Sequence, residues 1–294
     1  MHIHRAVNSA VILCSALFMY LTVPAAQAGI FYDVAVRGTY EDNVIGLLSD
    51  KRGGYAGMPA YGPMMGVSGV MSGAMMGPPS SLTGSSAQSK SDTSINLFAD
   101  LGASTAITSD ASLFVLGSAQ HASYSTNTQF DYTIGGLSTG IYKSFGDVLS
   151  GKFAINGYIK NYQDSQRDGS AYGATLLLKE QFTPAFWLKE AYDYEKNDAD
   201  SPFFTYDGNG ASIWAGYLVT PRTTVLAGYY YLARDYDQPS GFKVTSNTIS
   251  LGLEHEFAKK WFFDAQYSHQ MSDSNVAGTS TTDNIYSIGL RYSF

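Results

Sequence analysis

The segment 284–294 constrains the fold of this chain more than any other. It reads N-I-Y-S-I-G-L-R-Y-S-F, with apolar or aromatic residues at every second position and mostly small or polar residues between them. Side chains of a β-strand point alternately to opposite faces, so the segment predicts a strand with one apolar and one polar face. Such a strand fits a soluble sheet as well as a barrel whose outer face meets lipid.

The beginning of the sequence indicates export. Arg5 precedes an apolar stretch at about 10–23, and Ala26-Gln27-Ala28 supplies the small residues of an A-x-A cleavage site. This order is typical of a secretory signal peptide, so we expect residues 1–28 to be removed and the mature chain to start at about Gly29. A membrane-anchoring helix is less well supported, because the apolar stretch is shorter than the ~20 residues that a span requires.

Composition excludes several classes. Charged residues make up 15% of the chain and aromatic residues 14%, with 22 tyrosines and 30 glycines. The mature part has no run of about 18 apolar residues, so no membrane-spanning helix is predicted. The formal net charge is −7, and this acidity, without any basic patch, argues against a nucleic-acid partner. Cys14 is the only cysteine and lies within the signal peptide, so the mature chain offers no disulfide and no thiolate.

Four residues near the end of the sequence resemble the C-terminal β-signal of bacterial outer-membrane proteins, which the barrel-assembly machinery recognises. That signal has a polar residue, a glycine two positions later, and aromatic residues in the final and antepenultimate positions. Ser287, Gly289, Tyr292 and Phe294 match all four. The resemblance implies an all-β fold: a transmembrane, antiparallel up-and-down β-barrel in outer-membrane lipid of a Gram-negative bacterium. It points to no solute-specific family.

Turn signals recur about every 37 residues and support this fold. The turns are Thr108-Ser109-Asp110, Gly146-Asp147, Pro184-Ala185, Pro221-Arg222 and Ala258-Lys259. Longer polar segments lie between them, at 125–130, 163–170, 197–208, 237–243 and 272–282. Outer-membrane barrels alternate short periplasmic turns with longer extracellular loops. With both chain ends in the periplasm, and with 44–93 as the first loop, the pattern predicts about twelve strands.

Alternation assigns the facing of some strands and not of others. Segments 95–104, 152–160, 247–257 and 262–270 have one apolar and one polar face, whereas 113–124, 132–144 and 224–236 are ambiguous. Aromatic residues beside the turns predict a girdle at the membrane interface. These residues are Phe145, Phe182, Phe186, Trp187, Phe257 and Trp261.

The segment 44–93 breaks the pattern of short strands. It is rich in glycine, serine, proline and methionine, a composition that opposes a regular ladder of strands. A long flexible extracellular loop between strands 1 and 2 is the first interpretation. A plug inside the barrel, a contact for a partner protein, and capture of Cu(I) by thioether sulfur remain alternatives.

The predicted lumen carries charges of both signs. The candidate pore-lining residues are Asp33, Arg37, Asp100, Lys152, Lys160, Lys179, Asp193, Glu254, Asp264 and Arg291. Twelve strands at ~4.8 Å spacing and ~40° tilt give a backbone radius of about 12 Å, so any aperture is narrow. These charges can hydrate a channel or close it by ion pairs. We expect a narrow passive diffusion channel for small hydrophilic solutes. A non-conducting, structural barrel that displays loops or anchors a partner is the alternative. Assembly with a partner protein or as a homo-oligomer stays open for either function.

A search for catalytic residues yields one remote candidate. His121 and Ser123 lie two positions apart and resemble the dyad of outer-membrane phospholipase. Tyr124 and Ser125 follow, however, where that family has Asn-Gly, and no orienting asparagine is evident. No phosphate loop, zinc spacing or haem-attachment motif is present. The sequence therefore predicts no enzyme, no metal and no cofactor.

Overall fold

Twelve antiparallel strands close into one barrel in the computed structural model, which describes residues 28–44, 91–276 and 280–294. The strands are β1 (Ala28–Glu41), β2 (Asp92–Ala106), β3 (Ala111–Tyr124), β4 (Tyr132–Phe145), β5 (Leu149–Tyr162), β6 (Gly169–Gln181), β7 (Phe186–Ala199), β8 (Tyr206–Thr220), β9 (Thr223–Tyr236), β10 (Phe242–Ala258), β11 (Trp261–Ser274) and β12 (Thr281–Ser293). Each strand pairs with its sequence neighbours, and β1 pairs with β12. The predicted twelve-stranded up-and-down barrel is confirmed.

The short connections fall where the turn signals predict them, for example between Ala106 and Ala111 and between Thr220 and Thr223. The first long connection differs slightly from its predicted bounds: β2 begins at Asp92, so Asp92 and Thr93 belong to a strand. Residues 1–27 of the predicted signal peptide and the methionine-rich centre of segment 44–93 lie outside the described residues, whereas Ala28 begins β1. No helix within the described part of the chain is long and apolar enough to cross a membrane.

The outer surface of the barrel is apolar. Ile288 is 62% exposed, Ile95 60% and Ile155 59%, and each stands on the outward face of its strand. An apolar belt of this kind requires contact with lipid chains. Phe145, Phe182, Phe257 and Trp261 of the predicted girdle are exposed on the same surface. Trp187 is not: it is 6% exposed and points into the barrel, so its assignment to the girdle was wrong.

Single-turn 3-10 helices shape two of the extracellular connections. One spans Thr128–Phe130 and the other Ser165–Arg167. The aspartate after each helix ties the connection to the preceding strand: Asp131 accepts a hydrogen bond from the Tyr124 N–H, and Asp168 from the Tyr162 N–H, both at 2.6 Å. The two connections therefore share one hydrogen-bonding arrangement, in which the last residue of each helix, Phe130 or Arg167, is buried toward the lumen.

Candidate functional site: the barrel lumen

The lumen has two chemically different walls. We call the inward faces of β10, β11, β12, β1 and β2 the seam wall, because the first and last strands meet there. The inward faces of β3 to β9 form the far wall. Buried charged residues of the seam wall comprise seven carboxylates and two guanidinium groups. The carboxylates are Asp33, Glu41, Asp92, Asp100, Glu254, Asp264 and Asp283, and the guanidinium groups are Arg37 and Arg291.

An ion pair spans the strand at the centre of the seam wall. Arg37 on β1 donates from Nη2 and Nε to Asp264 Oδ2 on β11, at 2.8 and 3.1 Å. Gly289 of β12 lies in register between them. A Cβ atom at Gly289 would stand 2.7 Å from Asp264 Oδ1. Glycine therefore leaves the space through which the pair reaches across its strand.

Arg291 makes a second set of polar contacts on the seam wall. Its Nη2 donates to Glu254 Oε2 on β10, and its Nη1 lies 3.8 Å from Asp33 Oδ1 on β1. Hydroxyl pairs continue the polar surface: Ser250 and Ser268 stand 2.8 Å apart across β10 and β11. Side-chain hydrogen bonds and ion pairs of the seam wall therefore connect β10, β11, β12 and β1.

Aromatic rings cover much of the far wall. The indole of Trp187 lies over Gly216 on the next strand, and that of Trp214 lies over Gly228, with ring atoms 2.1 and 2.4 Å from where a glycine Cβ would be. Each ring and its glycine are direct cross-strand partners. Trp187, Trp214 and Leu226 form one buried cluster. These rings lie against the wall because their cross-strand partners have no side chain.

Apolar lumen residues explain why three segments were ambiguous in the sequence. Phe114 and Leu116 on β3, Ile134 on β4 and Leu226 and Leu232 on β9 point inward and are buried. Their strands therefore have apolar residues on both faces, and period-two alternation is lost.

A group of three lysines interrupts this apolar surface. Lys179 on β6 and Lys189 on β7 are direct cross-strand partners. Lys152, on β5, carries the third inward ammonium, whose Nζ lies 4.7 Å from the centre of the Phe114 ring. We call these residues the lysine cluster. Lys189 was missed as a site residue, although alternation through the β6–β7 turn places it on the same face as Lys179.

The extracellular half of the far wall is closely packed. Lys160 Nζ donates to Glu195 Oε1 and Asn197 Oδ1, both at 3.0 Å, and the Tyr206 hydroxyl donates to Glu195. At the mouth, the Arg167 guanidinium lies 5.1 Å from the Phe130 ring and 4.9 Å from the Phe204 ring. These contacts fill the far side of the extracellular entrance.

Open space remains in the middle of the lumen and along the seam wall. Ser118, Asp193 and Gln266 point inward near the middle of their strands, yet each is only half-buried. A small cavity of about 30 Å³ lies beside β12, β1, β2 and β3. Its lining residues are Arg37, Thr39, Glu41, Asn96, Phe98, Gln120 and Ile285.

Comparisons with known proteins agree with this architecture. No protein-family model matches the chain, and no curated protein matches it. An outer membrane channel from Pseudomonas putida F1 superimposes with a TM-score of 0.57 at 10% identity, covering 94% of this chain and 98% of the other. The NanC porin gives a TM-score of 0.48 at 11% identity, covering 89% of this chain and 100% of the porin. The KdgM porin in complex with oligogalacturonate gives 0.47 at 11%, covering 89% and 99%.

This chain has the fold of an outer-membrane β-barrel. The closed sheet, the apolar outer belt and the fold shared with an outer membrane channel agree on that point. The apolar belt requires lipid around the strands.

All ten candidate pore-lining residues point to the inside of this barrel. Asp33, Arg37, Asp100, Lys152, Lys160, Glu254, Asp264 and Arg291 are buried, and Lys179 and Asp193 are half-buried. The structure joins Arg37 to Asp264, Arg291 to Glu254 and Asp33, and Lys160 to Glu195. Their role in conduction stays a prediction.

The remote catalytic candidates lie on the outer surface. His121 and Ser123 are exposed on the lipid-facing side of β3. His121 Nδ1 lies 2.9 Å from Thr133 Oγ1, and the Asp131 carboxylate is close to both His121 and Ser123. Within the described part of the chain no hydrogen bond joins His121 to Ser123, so the imidazole is not held against the serine hydroxyl as a catalytic base would be.

Proposed function

We propose that the barrel is a narrow passive diffusion channel for small hydrophilic solutes. The observation that carries this proposal is the partial exposure of Ser118, Asp193 and Gln266, which point inward halfway along their strands. Solvent reaches such positions only from the lumen. The proposal includes no catalytic step, and no metal or cofactor.

The path that we propose follows the seam wall. The small cavity of about 30 Å³ extends there to Glu41, the last residue of β1, near the extracellular end. Polar side chains such as Asn96 and Gln120 line it and can replace part of a solute's hydration shell. The far side of the entrance is filled by packed rings and ion pairs, so the bore is narrow.

Opposed charges support passage of polar rather than apolar solutes. Carboxylates predominate on the seam wall, whereas the far wall carries the lysine cluster with Lys160 and Arg234. Charges of opposite sign across a low-dielectric bore produce a transverse field. Such a field orients dipolar solutes and disfavours the entry of groups that cannot interact with it.

Planar-bilayer conductance of refolded protein tests the proposal. We expect discrete, voltage-independent current steps in KCl. Phe98→Ala enlarges the seam cavity, so its unitary conductance should exceed that of the wild type. Leu97→Ala is the matched control, since Leu97 is the next residue of β2 and faces lipid, 49% exposed. Folded, heat-modifiable protein without current steps in any of the three would overturn the channel and favour a non-conducting barrel.

A further inference from the structure

We propose that the lysine cluster binds the carboxylate of small organic anions, and that the indoles of Trp187 and Trp214 contact the apolar part of the same solute. This inference rests on the proposed channel function and names the class of solute that the lumen favours.

The first observation is that two lysines face each other on neighbouring strands. Lys179 and Lys189 are cross-strand partners on the inner face, and like charges directly opposite each other are destabilising. Lys189 is 9% exposed, and among the described residues it makes neither a hydrogen bond nor an ion pair. A buried ammonium without such partners is costly. An anion placed between the two side chains would remove both penalties.

Nearby carboxylates do not fully neutralise the cluster. Asp193 lies within electrostatic range of Lys189 and Lys152, and Asp100 of Lys152. Asp193 also accepts a hydrogen bond from the Thr175 hydroxyl at 2.7 Å. Within the described residues neither Lys179 nor Lys189 forms a hydrogen bond or an ion pair with these carboxylates, so no direct contact neutralises the two opposed ammonium groups. The carboxylates of Asp264 and Glu254 on the seam wall are already bonded to arginines.

The surroundings of the cluster favour an organic anion over an inorganic one. The Lys179 ammonium lies 5.7 Å from the centre of the Trp187 ring. Trp187 and Trp214 lie over glycines of the next strand and form, with Leu226, a buried apolar cluster beside these lysines. A solute with a carboxylate and a planar apolar body would meet ammonium groups at one end and indole faces at the other. Lysines act as point charges, and they impose no bidentate geometry on the bound group.

Benzoate is the probe that we would use, with benzyl alcohol as its neutral counterpart and inorganic phosphate as a non-apolar anion. Benzoate should reduce KCl current through the wild-type channel in a saturable manner. The Lys179→Gln/Lys189→Gln double variant should raise the half-blocking benzoate concentration at least ~10-fold, the loss expected when about 1.4 kcal/mol of binding disappears. Lys143→Gln is the control for loss of a lysine charge away from the lumen, because Lys143 is exposed on the outer surface beside Asp110.

Tryptophan fluorescence in detergent measures binding without conduction. Trp187, Trp214 and Trp261 are the three tryptophans, and Trp261→Phe removes the one on the outer surface. Benzoate should then change the emission of the two lumen indoles saturably. If the double variant folds poorly, Lys189→Gln alone serves, and it should be no less stable than the wild type because it relieves repulsion.

The outcomes separate the two proposals. Lysine-dependent benzoate binding in a barrel without conductance overturns the channel and supports the site. Conductance with equal benzoate block in wild type and lysine variants overturns the site and leaves the channel in place. Equal block by benzyl alcohol or by phosphate also overturns the organic-anion site, because it shows that either the charge or the apolar body is dispensable.

Discussion

The seam wall and the far wall close the same barrel by different means. On the seam wall, ion pairs such as Arg37–Asp264 connect strands that are 227 residues apart in sequence. On the far wall, rings lie over glycines of the next strand in the chain. Successive hairpins hold the register of the far wall through their turns, whereas β1 and β12 have no turn between them. Directional bonds between side chains are therefore most useful at the seam, where they add to the backbone ladder in fixing register.

Deleting Phe294 should have the largest effect, because this residue completes the seam. Its backbone N–H donates to the Tyr32 carbonyl at 2.9 Å, and its ring lies 5.1 Å from the Tyr32 ring. It is also the final aromatic of the predicted β-signal. We expect outer-membrane levels in cells to fall to a small fraction, with protease-sensitive protein in the periplasm. Phe182→Ala, at an exposed far-wall turn, should assemble normally; equal levels of both variants would refute the role of the signal.

Breaking the central seam ion pair should have the next largest effect. Arg37→Met leaves the Asp264 carboxylate buried without its partner, which typically costs about 3–5 kcal/mol. The double variant Arg37→Met/Asp264→Leu should recover most of this loss because it removes both buried charges of the pair. Denaturant unfolding of the refolded barrel, followed by tryptophan fluorescence, gives both values. A single variant as stable as the wild type would show that register at the seam does not need this pair.

Methyl groups added at glycines should sharpen the comparison between the walls. Gly216→Ala forces Trp187 away from the wall, and overpacking of this kind costs about 1–3 kcal/mol. Gly289→Ala should cost less, because the Cβ meets the end of the Asp264 side chain, which can shift. Gly38→Ala is the control, since nothing lies within 4 Å of its Cβ. The unfolding of refolded protein is measured without the assembly machinery, so it tests the packing role of Gly289 separately from its place in the predicted β-signal. Identical stability of all three variants would contradict the packing role of these glycines.

A substitution in the turn between β2 and β3 should have the smallest effect on stability, and this effect should be recognisable by its dependence on pH. The Thr108 hydroxyl donates to Asp110 at 2.6 Å and Lys143 lies 3.4 Å away; these partners lower the pKa of the Asp110 carboxyl. A lowered pKa contributes stability that is present above the unfolded value of about 3.9 and lost as pH falls through the folded pKa. Asp110→Asn should therefore be less stable than the wild type at neutral pH and equal to it in strong acid. If the free energies of unfolding of the variant and the wild type differed by the same amount at every pH, the effect would be due to packing.

The sequence predicted the seam wall far better than the far wall. Strands with charged or polar lumen residues, such as those carrying Arg37, Asp264 and Arg291, show clear alternation, and their inward faces were assigned correctly. Turn residues and the terminal aromatic pair were enough to predict the number of strands and the closure of the barrel, because short turns have strong local sequence signals.

The far wall was harder because its lumen face is itself apolar. Phe114, Ile134 and Leu226 point inward, so lipid-facing and lumen-facing positions have the same chemistry. Trp187 was misassigned for the same reason, since an aromatic beside a turn fits either face. The pairing of Lys179 with Lys189 depends on hairpin register, which composition alone does not supply.

The rings that lie over glycines also make the bore of this barrel adjustable in small steps. The tilt of each indole depends on one backbone position of the neighbouring strand, and that position carries no other side-chain contact across the lumen that would need to be rebuilt. A series of glycine, alanine and serine at 216 or 228 would raise the ring by degrees while strand number, shear and outer surface stay constant. In the proposed channel, single substitutions of this kind would change the size of the solute that passes, a property that suits both divergence of related channels and the engineering of sensing pores.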